Sequence, residues 1–174
     1  MKGFDIYQRL DKLLATEPYK DKISFTYIGN LPKGFKFHNA TYIEPMQGED
    51  LAAAIRQHHV YLTASRNEPG SNHQNEGANC GLPLLYRESG CLPEYCDGFG
   101  ISFREGNFEQ KLREMMETYD YWADRMRDYP HTAERTCEAY YDLFARLLER
   151  RDVIVKRRKW WRSPIWLLRT WGGR

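Results

Sequence analysis

The sequence predicts an α/β protein built on a parallel sheet with helices on both faces, and three observations carry that prediction. Short apolar runs rich in β-formers recur at residues 23–28, 41–44, 60–64, 82–86 and 99–103. Stretches with apolar residues at three- and four-residue spacing separate most of them. Glycine and proline punctuate the junctions, as at Gly29, Pro32, Pro45, Pro69-Gly70 and Gly81. Strands that alternate with helices lie side by side, and the helices cover the sheet from above and below.

Each element has its own reason. Residues 4–15 carry Phe4, Ile6, Tyr7, Leu10, Leu13 and Leu14 as a helical stripe, with Asp5, Arg9, Asp11 and Lys12 mostly on the other side. Residues 23–28 alternate apolar and hydroxyl side chains and end at the turn Gly29-Asn30-Leu31-Pro32, which predicts the first strand. A second strand, 41–44, stops at Pro45, and residues 48–58 place Leu51, Ala52, Ala54 and Ile55 at helical spacing. The apolar run 60–64 predicts a buried strand that stops in a polar loop closed by Pro69-Gly70. A short helix follows, with Ser71 or Asn72 as N-cap and Gly81 at its end, and a strand at 82–86 comes directly after. After the last strand, 99–103, Gly106 or Asn107 starts a long helix that buries Leu112, Met115, Met116, Tyr119, Trp122 and Met126 and stops before Pro130. Residues 132–150 predict a final helix with Ala133, Cys137, Tyr140, Tyr141, Phe144, Leu147 and Leu148 turned inward.

Length and composition narrow the class. A chain of 174 residues with 41% hydrophobic and 29% charged residues is a globular domain with a sizeable core, not a disordered or fibrous chain. Charge is unevenly spread. Residues 150–174 hold nine basic side chains against Asp152, a charge of +8, which leaves −6 for residues 1–149 within the net +2. The expected organisation is therefore a domain over 1–149 and a basic aromatic tail over 150–174. Cys80, Cys91, Cys96 and Cys137 have neither metal-ligand spacing nor the density of a disulfide scaffold, which predicts reduced and mostly buried thiols. Met1 leads directly into a charged amphipathic segment and no run reaches about eighteen apolar residues. The expected location is cytoplasmic, or peripheral at a membrane.

The chemistry concentrates between Tyr61 and Gly100. Strand, loop, helix and strand in that order form a βαβ unit, whose ligand crevice opens at the carboxyl ends of the strands. Glu68 lies in the loop and Glu76, eight positions on, lies in the helix, whose side chains tilt back toward its start. Both carboxylates can then face one ligand. The helix start offers backbone N–H groups and partial positive charge to a phosphate, while an ionised carboxylate accepts hydrogen bonds from hydroxyls. A sugar nucleotide presents both kinds of group.

Ser65, Glu68-Pro69, Glu76, Cys80-Gly81-Leu82-Pro83 and Ser89-Gly90-Cys91-Leu92-Pro93-Glu94 resemble the donor-binding half of retaining, nucleotide-sugar-dependent glycosyltransferases of the two-Rossmann-domain (GT-B) type, family 4-like. The likeness runs from Lys2-Gly3 to about Tyr141, and the glutamate pair is its most specific mark. It implies a Rossmann-like parallel sheet, here of about five strands, and transfer of a hexose from a nucleoside diphosphate sugar to a hydroxyl with retention of configuration. It implies no metal, and no cofactor beyond the nucleotide sugar as co-substrate. By resemblance Glu68 is the catalytic-site glutamate that contacts the transferred sugar near its reacting carbon, and Glu76 binds the ribose diol. Lys2 contacts the diphosphate. Gly70, Ser71 and Asn72 offer backbone amides, and Ser89 and Gly90 form a second small-residue loop beside the donor. The family more often has glycine where Cys91 stands, which puts close backbone approach there in question. Tyr42, Glu44 and Pro45 end a strand at the edge where a base would lie.

The resemblance also implies a gap. In the family a strand precedes Lys-Gly and occupies the middle of the sheet, and an acceptor-binding domain precedes that strand. Here the first family strand is missing, so two rows of backbone groups face a vacancy, at roughly 1–3 kcal/mol for each group that stays buried and unpaired. Direct pairing across it, filling by another chain, and a solvated cleft are the three solutions. The missing acceptor domain or a partner chain joins the nucleotide sugar as an expected partner.

The tail interleaves Lys156-Arg157-Arg158-Lys159 with Trp160, Trp161, Ile165, Trp166, Leu167, Leu168 and Trp171. That pattern suits an anionic membrane surface, or a terminal helix docked on an acceptor domain. Nucleic acid is the least supported partner, since one basic tail on an acidic body is a thin footprint. The alternative to a transferase half is a non-catalytic truncated remnant that binds a membrane surface or partner through this tail. A sugar-nucleotide epimerase of related fold is disfavoured by the glutamate spacing.

Overall fold

The computed structural model of the chain describes residues 2–70 and 72–158. It is an α/β protein in which α1 (Phe4–Leu13) precedes β1 (Thr26–Ile28), β2 (Thr41–Ile43), α2 (Gly48–Ile55), β3 (Tyr61–Thr63), α3 (His73–Asn79), β4 (Leu84–Arg87), α4 (Leu92–Cys96) and β5 (Gly100–Phe103). Then come α5 (Phe108–Glu117), α6 (Tyr119–Arg125), α7 (Ala133–Glu149) and α8 (Arg151–Arg157). The chain divides into two compact units at Thr132/Ala133. The five strands of the described residues belong to the first, and α7 groups with the C-terminal unit.

Every strand pair is parallel, as the alternation of elements predicts. The sheet itself differs from the expectation. Instead of one sheet of about five strands there are two, β1-β2 and β3-β4-β5, with Thr26 opposite Thr41, Tyr61 opposite Leu84 and Leu84 opposite Gly100. The division falls between β1 and β3, where residues of both strands line a cavity of about 260 Å³. No ladder joins β1 to β3 among the described residues.

Side chains alternate across the three-stranded sheet. Leu85, Ile101 and Phe103 join Ile6, Tyr7 and Leu10 of α1 and Phe108, Leu112 and Met115 of α5 in one core. Leu84 and Tyr86 join Ala78 of α3 and Leu92 and Cys96 of α4 in a second. Helices thus cover both faces. Asp11, on α1, accepts backbone N–H bonds from His38, Asn39 and Ala40 at 2.8–3.2 Å and so fixes the approach to β2. Burial alone would raise its carboxyl pKa, but those three donors hold it below the usual carboxylate value.

Two helix expectations are corrected. The helix predicted from 106/107 to Pro130 breaks at Thr118, whose N–H and hydroxyl both donate to the Glu114 carbonyl at 3.0 and 2.7 Å while its own backbone leaves the helical region. Leu112, Met115 and Met126 are buried as expected, but Met116 is exposed. On α7 no residue is buried, so Tyr140, Tyr141, Phe144, Leu147 and Leu148, expected inward, are exposed. The short helix α4, with Pro93 in its first turn, was not expected. Among the described residues no helix is long and apolar enough to cross a membrane, and the four cysteines are unpaired, with Cys96 buried and Cys137 exposed.

Candidate functional site

The site is assembled at the carboxyl ends of β3 and β4. Gly3 has φ +70, and a Cβ there would collide with the Ala64 carbonyl, so only glycine lets the start of α1 lie against the end of β3. Lys2, one residue earlier, then reaches Glu68: Nζ lies 3.5 Å from Oε2. The lysine side chain is 58% exposed and the carboxylate only 19%, so the cation faces outward and the acid is held inward.

A second set of contacts clamps the Glu68 loop to the loop after β4. The Asn67 N–H donates to the Ser89 hydroxyl at 2.9 Å, and the Cys91 N–H donates to the Glu68 carbonyl at 2.9 Å. Gly90 has φ +60, and a Cβ on it would run into the backbone of Glu68. Close backbone approach therefore occurs at Gly90, and Cys91 contributes its N–H while its half-buried side chain stays beside it. Lys2, Glu68, Ser89 and Gly90 are brought together.

Beneath these loops is a four-membered ion network that sequence reasoning missed. Arg87, buried at the end of β4, lies 3.0 Å from Asp5 and 3.3 Å from Glu105, and Arg66 lies 2.6 and 3.2 Å from the same two carboxylates. Arg87 also donates to the Ala64 carbonyl at 3.3 Å. Burial would raise the Asp5 carboxyl, but the two guanidinium groups hold it below its ordinary value. The network ties α1 to the ends of β3, β4 and β5. The signal available in the sequence was an arginine at the end of an otherwise apolar run, 82–87.

His73 is the first residue of α3. Its ring lies 3.4 Å from the Ser65 hydroxyl and stacks on Tyr61 at 6.3 Å between centroids. Burial pushes its pKa down to about 4, the Lys2 charge lowers it further and the Glu68 charge opposes both. The imidazole is neutral near pH 7. Glu76, one turn along, is exposed and lines the same cavity as His73 and Tyr61. Glu68 is held by Lys2 and the β4 loop, whereas Glu76 lines the cavity. Gly70 and Asn72 are exposed; Asn72 holds the N-cap position of α3 without a side-chain capping bond, and Ser71 lies outside the described residues. Pro45 lines the cavity with β1, while Tyr42 and Glu44 are exposed.

In chemical terms the loops after β3 and β4 offer an ammonium and a carboxylate, and the cavity offers a second carboxylate and a neutral imidazole. Among the described residues no group of three or more His, Cys, Asp or Glu side chains could hold a metal ion. No family model matches the chain, and no curated protein matches it significantly.

Proposed function

We propose that the chain binds a nucleoside diphosphate sugar at the carboxyl ends of β3 and β4, as the donor domain of a retaining hexosyltransferase. The observation that carries this reading is the Lys2–Glu68 pair beside the clamped Ser89-Gly90 loop. An anion-binding ammonium and a hydroxyl-binding carboxylate share one small volume there, as a sugar joined to a diphosphate requires. On this reading the two parallel sheets are the flanks of one Rossmann-like sheet. Glu68 holds the sugar hydroxyls near the reacting carbon and Glu76 the ribose. Lys2 and the backbone amides of Gly70, Ser71 and Asn72 stabilise the leaving diphosphate as its charge develops. An acceptor-binding domain or partner chain supplies the acceptor and its catalytic groups.

Calorimetric titration with UDP-glucose and GDP-mannose tests the reading. Binding of one of them, weakened at least about tenfold by Glu76→Ala and by Lys2→Ala, is the expected result. Absence of binding at millimolar donor would remove it.

A second reading draws on α7. Its exposed Tyr140, Tyr141, Phe144, Leu147 and Leu148 lie on one helical face. This favours docking of the C-terminal unit on an anionic membrane surface; the aromatic part of the tail, 159–174, lies outside the described residues. Flotation with anionic vesicles that is unchanged when residues 150–174 are deleted would dispose of a tail-mediated membrane role.

A further inference from the structure

Two sheet edges face one cavity. β1 pairs with β2 through alternate residues: the Phe25 carbonyl accepts from the Thr41 N–H at 2.9 Å, and the Gly29 N–H donates to the Ile43 carbonyl at 3.2 Å. Successive residues of a strand turn their backbone groups to opposite sides, so those of Thr26 and Ile28 point away from β2. β3 behaves in the same way. The Tyr61 N–H donates to the Pro83 carbonyl at 3.0 Å, which turns the groups of Val60, Leu62 and Ala64 away from β4. Residues 24–29 and 60–62 line the same cavity, and no ladder joins β1 to β3 among the described residues.

Ala64 marks where this opening ends. Its N–H donates to the Tyr7 hydroxyl at 3.3 Å and its carbonyl accepts from Arg87, so side chains satisfy what a neighbouring strand would otherwise pair. Tyr7 also stacks on Phe25 at 5.8 Å, so one tyrosine reaches from β1 to the edge of β3. Burial pushes its pKa up to about 12, which keeps the hydroxyl protonated. Among the described residues no side chain makes such a bond to the backbone of Leu62.

The rest of the lining is apolar toward α1 and α2 and polar at Ser24, His58, His73 and Glu76. Tyr7 lines the cavity from α1, and Leu51 and Ile55 line it from α2. Among the described residues no lysine or arginine lines it, and Glu76 is its single carboxylate. His73 and Glu76 sit at the α3 end of the cavity, and the stretch between the two sheet edges is lined by Phe25, Tyr27, Val60 and Leu62. A strand with apolar side chains on both faces would find backbone partners on both edges, as a central strand of a parallel sheet does.

We infer that this opening receives an extended apolar segment of another polypeptide, about three to five residues long, which pairs through its backbone with Thr26, Ile28 and Leu62 and completes the sheet. The inference rests on the ladder edges and not on the donor-site reading; the two meet only at Glu76, which lines the cavity.

The probe is a capped synthetic peptide of alternating valine and isoleucine flanked by lysines, added to the full chain while amide hydrogen exchange is followed by NMR. The control peptide has the same side chains with every backbone nitrogen methylated, which removes its donors to both edges and keeps its backbone from the close approach that pairing needs. The expected result is at least about tenfold slower exchange at Thr26, Ile28 and Leu62 with the first peptide and no change with the second. Three results would overturn the inference: protection of these amides already equal to that of Leu85 without peptide, no protection at any of the three with peptide, or equal protection by the methylated control.

Discussion

β4 and β1 are both short parallel strands of the same unit, yet they live in different surroundings. All four residues of β4 are buried, with β3 on one side, β5 on the other and a helical layer on each face. All three residues of β1 are half-buried, and β3, which has β4 on one side only, has two of its three half-buried. A parallel strand is buried by two neighbours as much as by the helices above and below it. Where one neighbour is absent, an apolar run such as Val60 to Ala64 stays half wet despite its composition.

The sharpest way to break this comparison is to truncate matched leucines. Leu85→Ala removes a side chain from the closed core and is expected to cost about 3–5 kcal/mol in urea unfolding. Leu62→Ala, at the open edge, is expected to cost no more than about half of that. Equal losses would mean that β1 and β3 are closed against each other in solution.

His73 sharpens the contrast through pH. Its folded pKa of about 4 lies below the ordinary 6.5, so the unfolded chain takes up the proton first as pH falls. The stability held by the neutral ring is complete above about pH 6.5 and is lost progressively between there and about pH 4, up to roughly 3 kcal/mol. An NMR titration of the His73 ring should show a midpoint near 4; a midpoint near 6.5 would mean that the rim is fully hydrated.

Arg87→Met tests the brace under the closed side. The arginine is buried, but its partners Asp5 and Glu105 are partly exposed and solvent-screened, so the expected loss is about 2 kcal/mol rather than that of a fully buried pair. The smallest expected effect is at Thr63, whose hydroxyl is buried without a hydrogen-bond partner among the described residues. Thr63→Val should change stability by less than about 1 kcal/mol, toward greater stability.

Much of this arrangement is legible in the sequence because it is local. All five strands, the helix over Phe4–Leu13 and the loop between Glu68 and Asn72 follow from apolar spacing and from glycine and proline at the junctions. What escaped the sequence depends on distant partners. Asp5, Arg66, Arg87 and Glu105 meet only because four separate segments converge, and apart from Arg87, which ends an apolar run, each alone resembles an ordinary surface charge. The break at Thr118 turns on one hydroxyl competing for the Glu114 carbonyl, against a continuous apolar stripe. On α7 the periodicity identifies the apolar face, but not what covers it. The pairing of β1 with β2 alone could not be read from strand composition, since a vacancy is a property of the neighbours.

The most direct test of the donor-site account is chemical-shift mapping of UDP-glucose and GDP-mannose on the labelled chain. The account predicts that one of them moves the amide signals of Glu68, Gly70, Asn72 and Gly90 while those of Thr26, Ile28 and Leu62 stay in place. Saturating donor that leaves the Glu68 and Gly90 loops unmoved would contradict it.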